Sequence, residues 1–413
     1  MQKQIKYQNF EQTRGGIVFA RNCSKRIEIA LSLVKRYREK WDYLLWLGSA
    51  NLLYAQGYKD RIISEMDNGK ECCKFFAFEE ISLQDQVYLQ LYDLASEYRV
   101  FCVVDDCLNV KNTASGRTKR LLSMQAKFDF RLLLSENPVC RGLGDVYALM
   151  QFMDASLLNM TETQFLHQFM PFYTDDFDVS KRWSRPKFER QAMKLLKPYI
   201  LLCDLTDNVK INYHEYWFDL TEKEKVAYQE EKDRFLQGKT RVLFLQAIQE
   251  FQYLYTICQK KVRKLAELLE NIESRGEKVI IYTKYLGEVK FLRESGLLRN
   301  KNYVIMSGVS NRKRAVQRFE KDCDVMICTY KVEIPRLILK GCANVIYFSQ
   351  TFDYKDKTRI LSRFYGDSEL FLNVYDFWVN TRLETLINDN LLRKKRLLQN
   401  LCKIMNFDEV CYL

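Results

Sequence analysis

The sequence holds only two histidines, His167 and His214, and in 413 residues only five prolines and fifteen glycines. With so few histidines, and thirteen cysteines among which no C-x-x-C spacing occurs, there is no zinc-ligand pattern, and no metal site is expected. The scarcity of proline and glycine excludes a low-complexity linker. Long apolar runs are absent as well: stretches such as YLLWL from Tyr43 fall far short of the roughly 20 residues that cross a bilayer, so no membrane association is expected. No charged, apolar-cored leader pattern opens the sequence, and the cysteines are therefore expected to be reduced thiols of a cytoplasmic protein. A strong excess of one charge is missing too. The net charge of +12 is spread along the chain, which permits a polyanionic partner without requiring one.

What is present is a large apolar complement, 47% of residues with 14% aromatic, enough for two cores and too much for a disordered chain. Short apolar runs alternate with longer amphipathic stretches, the pattern of buried parallel strands covered by helices, and the fold class is read as α/β. In the first half the runs are residues 15–20, 43–47, 74–78, 100–104 and 130–135; in the second they are 278–283, 302–306, 324–329, 344–348 and 370–375. Between these blocks the strand rhythm lapses and helix formers dominate. Three regions are expected: a first lobe over 1–160, a helical connector with the start of the second lobe over 161–271, and a second lobe over 272–413. Thr221 followed by Glu224 is a capping-box pattern that marks a helix start inside the connector. The basic stretch from Arg382 reads as an amphipathic helix packing on the second lobe.

The order of several segments resembles the SWI/SNF-type helicase-like ATPases of helicase superfamily two. GGIVFARNCSKRIEIAL over 15–31 stands where that family has a GGILAD opening and a P-loop; WLGSANLL over 46–53 resembles a segment ending in P-A-S-L-L. VVDDCLNVKN over 103–112 is similar to the D-E-A-H-R-I-K-N box, and LLLSENPVCRGLGDVYALMQFM over 132–153 to L-L-L-T-G-T-P with its following helix. LKPYILLCDL and FDLTEKEKVAY resemble the passage between lobes, and EKVIIYTKY, SGVSNRKRAVQRFEKD and ANVIYFSQTFDYKDKTRILSRFYG follow in family order. The resemblance implies two tandem RecA-like lobes with parallel sheets flanked by helices. It is similar in compactness to members from phages and mobile elements, which implies a bacterial or phage-infected cell.

The chemistry of such a site needs glycines to close backbone N–H groups around phosphates, a lysine to reach them and a hydroxyl for Mg²⁺. Against the family pattern the glycines fall on Cys23 and Lys25, the lysine on Arg26 and the hydroxyl on Ile27; a shift of one residue puts Lys25 at the lysine position, still without the hydroxyl. Lys25 and Arg26 are thus the candidate nucleotide contacts of a degenerate loop. Asp105 keeps the metal-facing carboxylate, Asp106 replaces the glutamate that polarises water and is one methylene shorter, and Leu108 replaces the histidine. Glu136 stands where the third motif has glycine, and Pro335 lies within the loop expected to be glycine-rich. Arg363, or Arg359 with Arg363, is the candidate arginine finger.

These losses predict a degenerate relative with no expected cofactor, Mg-ATP entering only if the alternative of an active DNA-dependent ATPase holds through Lys25, Asp105 and Arg363. Lys111, Lys119 and Arg120 with Arg117, then Lys181, Arg182 and Arg185, and Arg312, Lys313 and Arg314 are candidate contacts to duplex DNA, because phosphate contacts need only basic groups. The other expected role is a scaffold for a protein partner of replication or recombination, with aromatic anchors in segments such as FLHQFMPFYTDDFD over 165–178.

Overall fold

In a computed structural model the described residues are 7–54, 57–140, 142–174, 180–182, 184–204, 209–237, 244–308, 310, 312–330, 332, 342–361, 364 and 370–406. The strands, in chain order, are β1 (Gly15–Ala20), β2 (Tyr43–Gly48), β3 (Cys73–Ala77), β4 (Val100–Asp105), β5 (Phe130–Ser135), β6 (Phe172–Thr174), β7 (Ser180–Arg182), β8 (Ile200–Asp204), β9 (Val209–Phe218), β10 (Lys278–Thr283), β11 (Tyr303–Met306), β12 (Val325–Thr329), β13 (Cys342–Tyr347) and β14 (Leu370–Val379). Two compact units result, Met1–Asp207 with Lys394–Leu413, and Asn208–Arg393.

Each unit is built on one six-stranded sheet in which every pairing is parallel. The order is β3-β2-β4-β5-β1-β8 in the first and β11-β12-β10-β13-β14-β9 in the second, while β6 and β7 form a separate antiparallel pair. Parallel strands need crossover helices, which cover both faces, so the strands carry continuous apolar runs. Successive residues of one strand therefore enter opposite cores: Ile17 and Phe19 of β1 pack on one face, Val18 and Ala20 on the other. In the second unit Ile280 and Tyr282 of β10 share a core with Tyr347, and Val279 and Ile281 one with Phe348. The architecture is that of two tandem RecA-like lobes, and all ten expected strands are present.

Gly16 is required by packing. A Cβ there would stand 2.4 Å from Leu201 Cδ1 and 2.8 Å from Phe10 Cδ2, so the glycine lets the edge strand β8 and the first helix close on β1.

The stretch expected as a helical connector contains strands as well. Helices Glu222–Gln237, Phe244–Thr256 and Gln259–Ser274 are there, and the first begins at the expected capping box, with Thr221 N donating to Glu224 Oε2 at 2.7 Å and Glu224 N to Thr221 Oγ1 at 3.4 Å. Before them, however, β8 completes the first sheet and β9 the second. The C-terminal helix Arg382–Asn406 does not belong to the second unit alone: Ile387 and Leu391 pack with Trp378 there, but Leu401 is a core residue of the first unit. No described helix is long and apolar enough to cross a membrane.

Candidate functional site

The turn after β1 leads into the helix Cys23–Arg36, whose N-cap is Asn22; its side chain accepts from Lys25 N at 3.2 Å. In the sheet β1 lies between β5 and β8, so the chain leaving each neighbour passes beside this turn. From β8, Asp204 accepts a hydrogen bond from Lys25 Nζ at 2.5 Å. Past β5, Glu136 lies 3.8 Å from Arg26 Nη2. Arg26 is only 4% exposed; its Nη1 donates to the carbonyl of Ala20 and to that of Arg21 at 3.2 Å. Its guanidinium thus folds back over the turn in which a phosphate-binding loop would hold its ligand, and Ile27, at the hydroxyl position, is sunk into the core.

Asp105 ends β4 and is 1% exposed. The phenol of Tyr58 donates to its Oδ2 and accepts from Trp46 Nε1 at 3.2 Å, so this carboxylate is held by a buried chain of hydrogen bonds. Asp106 adopts a left-handed backbone, φ 58° and ψ 58°, which aspartate tolerates better than most residues. Its carboxylate accepts from Asn109 Nδ2 at 2.9 Å. Leu108 is buried. At the positions where the family pattern has its Mg-ATP groups, a core isoleucine stands for the hydroxyl, Arg26 spans the turn and Asp105 accepts from Tyr58. Among the described residues no group of three or more metal-ligating side chains comes together.

The basic candidates of the first unit divide. Lys111 donates to Cys140 Sγ, and Arg120 donates to Ile81 O at 2.8 Å and Gln84 O at 3.3 Å, pairs with Asp85 and lies over the Tyr88 ring; both serve local structure. Lys119 is exposed. Ala50 N, in the segment resembling P-A-S-L-L, donates to Glu79 Oε2 at 2.9 Å. In the second unit Arg314 is exposed; Arg312 and Lys313 open the helix Arg312–Lys321, with side chains outside the described residues, as are those of Lys181 and Arg182. Arg363 also lies outside the described residues, as does Pro335, whereas Arg359 pairs with Asp356 at 3.3 Å and donates to Tyr330 O at 3.4 Å. The aromatic segment over 165–178 contributes Phe165 and Phe169 to the core of the first unit, so these two are packing residues and not interface anchors.

A polar cluster in the second unit escaped the sequence reading. Gln252, fully buried, donates to Gln350 O and to Glu384 Oε1, both at 2.9 Å, and its Oε1 accepts from Lys284 Nζ at 2.5 Å and Tyr285 OH at 3.0 Å. Glu288 Oε2 accepts from Lys284 N and Tyr285 N, each at 3.0 Å, and from Ser349 Oγ at 2.8 Å. Lys261 is buried beside them with its ammonium 4.3 Å from the Phe348 ring centre. Burial pushes its pKa down, and burial pushes that of Glu384 up. Two lysines and two glutamates share this interior, and its bonds tie helices to the carboxyl ends of β10 and β13. It is a structural knot.

No family model matches the chain. Among curated proteins, the chromatin-remodeling ATPase INO80 of Candida albicans (strain SC5314 / ATCC MYA-2876) is 24% identical over 157 residues, which is 36% of this chain and 11% of that protein. INO80 of Schizosaccharomyces pombe (strain 972 / ATCC 24843) is 25% identical over 139 residues, 31% of this chain and 8% of that one. The chain therefore matches about a tenth of the length of these relatives. Among solved structures, the Sulfolobus solfataricus SWI2/SNF2 ATPase core in complex with dsDNA aligns over 98% of this chain and 95% of that one, with a TM-score of 0.38 and 13% identity. The curated relatives bear out the resemblance to the SWI/SNF-type helicase-like ATPases that the motif order carries.

Proposed function

We propose that this protein is a non-hydrolysing relative of the SWI/SNF-type helicase-like ATPases, whose two lobes serve binding and not phosphoryl transfer. The observation that carries this reading is Arg26, buried across the turn where phosphates would sit and hydrogen-bonded to the carbonyls of Ala20 and Arg21. The guanidinium fills the turn in which backbone N–H groups would have to close around a phosphate chain. Tyr58 on Asp105 supports the same reading at the second motif. Each missing group of a phosphoryl-transfer site removes orders of magnitude in rate.

The ligand that best fits the basic excess is duplex DNA met through its phosphates, with Lys119 and Arg314 as exposed contacts. Contacts of this kind need no ATP site and no glycine loop. The alternative, a scaffold for a protein of replication or recombination, predicts no salt-dependent DNA binding.

The test is titration of the purified protein with a fluorescent ATP analogue and magnesium, with and without duplex DNA. No saturable nucleotide binding is expected, together with DNA binding that weakens steeply as salt rises. Tight nucleotide binding with DNA-stimulated turnover would establish a working translocase instead; nucleotide-free protein that ignores DNA would leave the scaffold.

A further inference from the structure

We infer that β9 is a pairing edge, on which a second copy of this chain adds its own β9 antiparallel about a two-fold axis through Tyr213. The inference uses neither the nucleotide nor the DNA part of the proposed function.

The two six-stranded sheets have four edges, and three of them are short: β3 and β8 have five residues each and β11 has four. A short edge is one of the ways a fold keeps its outermost strand from pairing with another molecule. β9, the fourth, runs ten residues, VKINYHEYWF, with no proline or glycine, and its register with β14 is unbroken from Val209 to Phe218. In a parallel ladder alternate residues of the outermost strand turn their N–H and C=O groups away from the sheet. Among the described residues β14 is the only strand paired with β9, and Tyr213 is 50% exposed and Trp217 37%, so these side chains stand in solvent.

A row of asparagines ends at this edge. Asn344, Asn373 and Asn212 are in register across β13, β14 and β9; Asn373 Nδ2 donates to Asn344 Oδ1 at 3.3 Å, and Asn212 Nδ2 to Asn373 Oδ1 at 3.5 Å. Asn212 Nδ2 also lies 3.0 Å from His214 Nε2; the imidazole, stacked on Tyr375, accepts there and keeps its proton on Nδ1. The outer end of the row thus carries an amide oxygen on Asn212 and a ring N–H on His214, an acceptor and a donor two residues apart on one face.

An antiparallel copy takes up both. A two-fold axis normal to the sheet keeps each residue on the same face in both copies, so residues opposite one another are both even-numbered or both odd-numbered. With Tyr213 on the axis, Asn212 of each copy faces His214 of the other, Lys210 faces Tyr216, and neither Lys210 nor Glu215 meets a like charge. The neighbouring registers set Lys210 opposite His214, or His214 opposite itself, and lose the reciprocal pairs of amide and imidazole.

The experiment is sedimentation equilibrium of the full chain over a range of concentrations, for wild type, Tyr213→Lys, Tyr213→Glu and an equimolar mixture of these two variants. Wild type should be a dimer at micromolar concentration. Each variant alone sets like charges face to face and should weaken dimerisation at least about tenfold. The mixture should restore a heterodimer, because a residue on the axis meets its own counterpart. Wild type that stays monomeric up to about 100 µM, variants that dimerise like wild type, or a mixture no more associated than its parts would each overturn the inference. If the charged variants do not fold, Tyr213→Cys decides: mild oxidation should give a disulfide-linked dimer that wild type does not give, and no such dimer overturns the inference.

Discussion

Arg26 and Glu136 lie 3.8 Å apart, one at the lysine position of a degenerate phosphate loop, the other at a glycine position of the third motif. Neither residue is the one the family pattern has at its position, and the two form an ion pair. A buried arginine whose nearest carboxylate is removed keeps its two carbonyl acceptors, so Glu136→Gln should cost about 1–2 kcal/mol and not the larger penalty of a stranded charge. Arg26→Met should cost a similar amount. The two are coupled, and a double-mutant cycle followed by urea unfolding should return an interaction of about 0.5–3 kcal/mol. Strictly additive losses would show that the pair does not act as one.

Tyr58 supplies the hydrogen that a buried Asp105 needs. Tyr58→Phe leaves that carboxylate short of a donor and should destabilise the first unit by about 1–3 kcal/mol. Asp105→Asn retains an amide oxygen for the phenol and should cost less. Neither change should alter ATP turnover, which is expected at background in all three proteins. A phosphate-release signal in wild type that disappears in Asp105→Asn would overturn the assignment of Asp105 to structure.

Lys119 and Arg120 are neighbours with different expected effects. Arg120 is tied to Ile81, Gln84 and Asp85, and Arg120→Ala should lower thermal stability while leaving DNA affinity nearly unchanged. Lys119→Glu should do the reverse. It should weaken binding to any duplex sequence alike and reduce the slope of log affinity against log salt by about one. Fluorescence anisotropy with a labelled duplex over a range of salt separates the two.

Ten strands were legible because a strand buried on both faces is a continuous apolar run. β9, VKINYHEYWF, is an edge strand whose exposed and partly buried residues alternate, so it reads as polar, and β8, ILLCD, is a short run among helix formers. The candidate site was legible as a set of missing residues but not as a set of contacts. Lys25 and Asp204 are 179 positions apart, and Tyr58 and Asp105 47 apart, and no local spacing announces such partners. In the sequence Glu136 stands out at a glycine position; only the sheet order β5-β1-β8 shows that it lies beside Arg26.

Gln252 bonds to four groups that have no local sequence relation, Gln350, Glu384, Lys284 and Tyr285. Gln252→Ala would strip partners from a buried carbonyl, a carboxylate and an ammonium at once. A loss of about 3 kcal/mol or more is expected for the second unit, at the upper end for a single substitution. Urea unfolding followed by Trp378 fluorescence would check it, and a loss below about 1 kcal/mol would mean that water replaces the amide without difficulty.

Glu384 gives the second unit a pH dependence. Burial is the largest influence on its carboxyl and raises its pKa, with Lys261, Gln252 and Tyr255 pulling it partly back. The folded protein thus holds this proton more tightly than the unfolded chain. Its contribution to stability is fully present below the ordinary glutamate pKa and is lost as pH rises through the raised value. Glu384→Gln keeps an oxygen to accept from Gln252 and Tyr255 and has no charge to desolvate, so it removes this dependence. In urea titrations from about pH 4 to about pH 8, wild type should lose stability relative to Glu384→Gln as the pH rises. Parallel curves for the two proteins would show that Glu384 is not held in its protonated form by the fold.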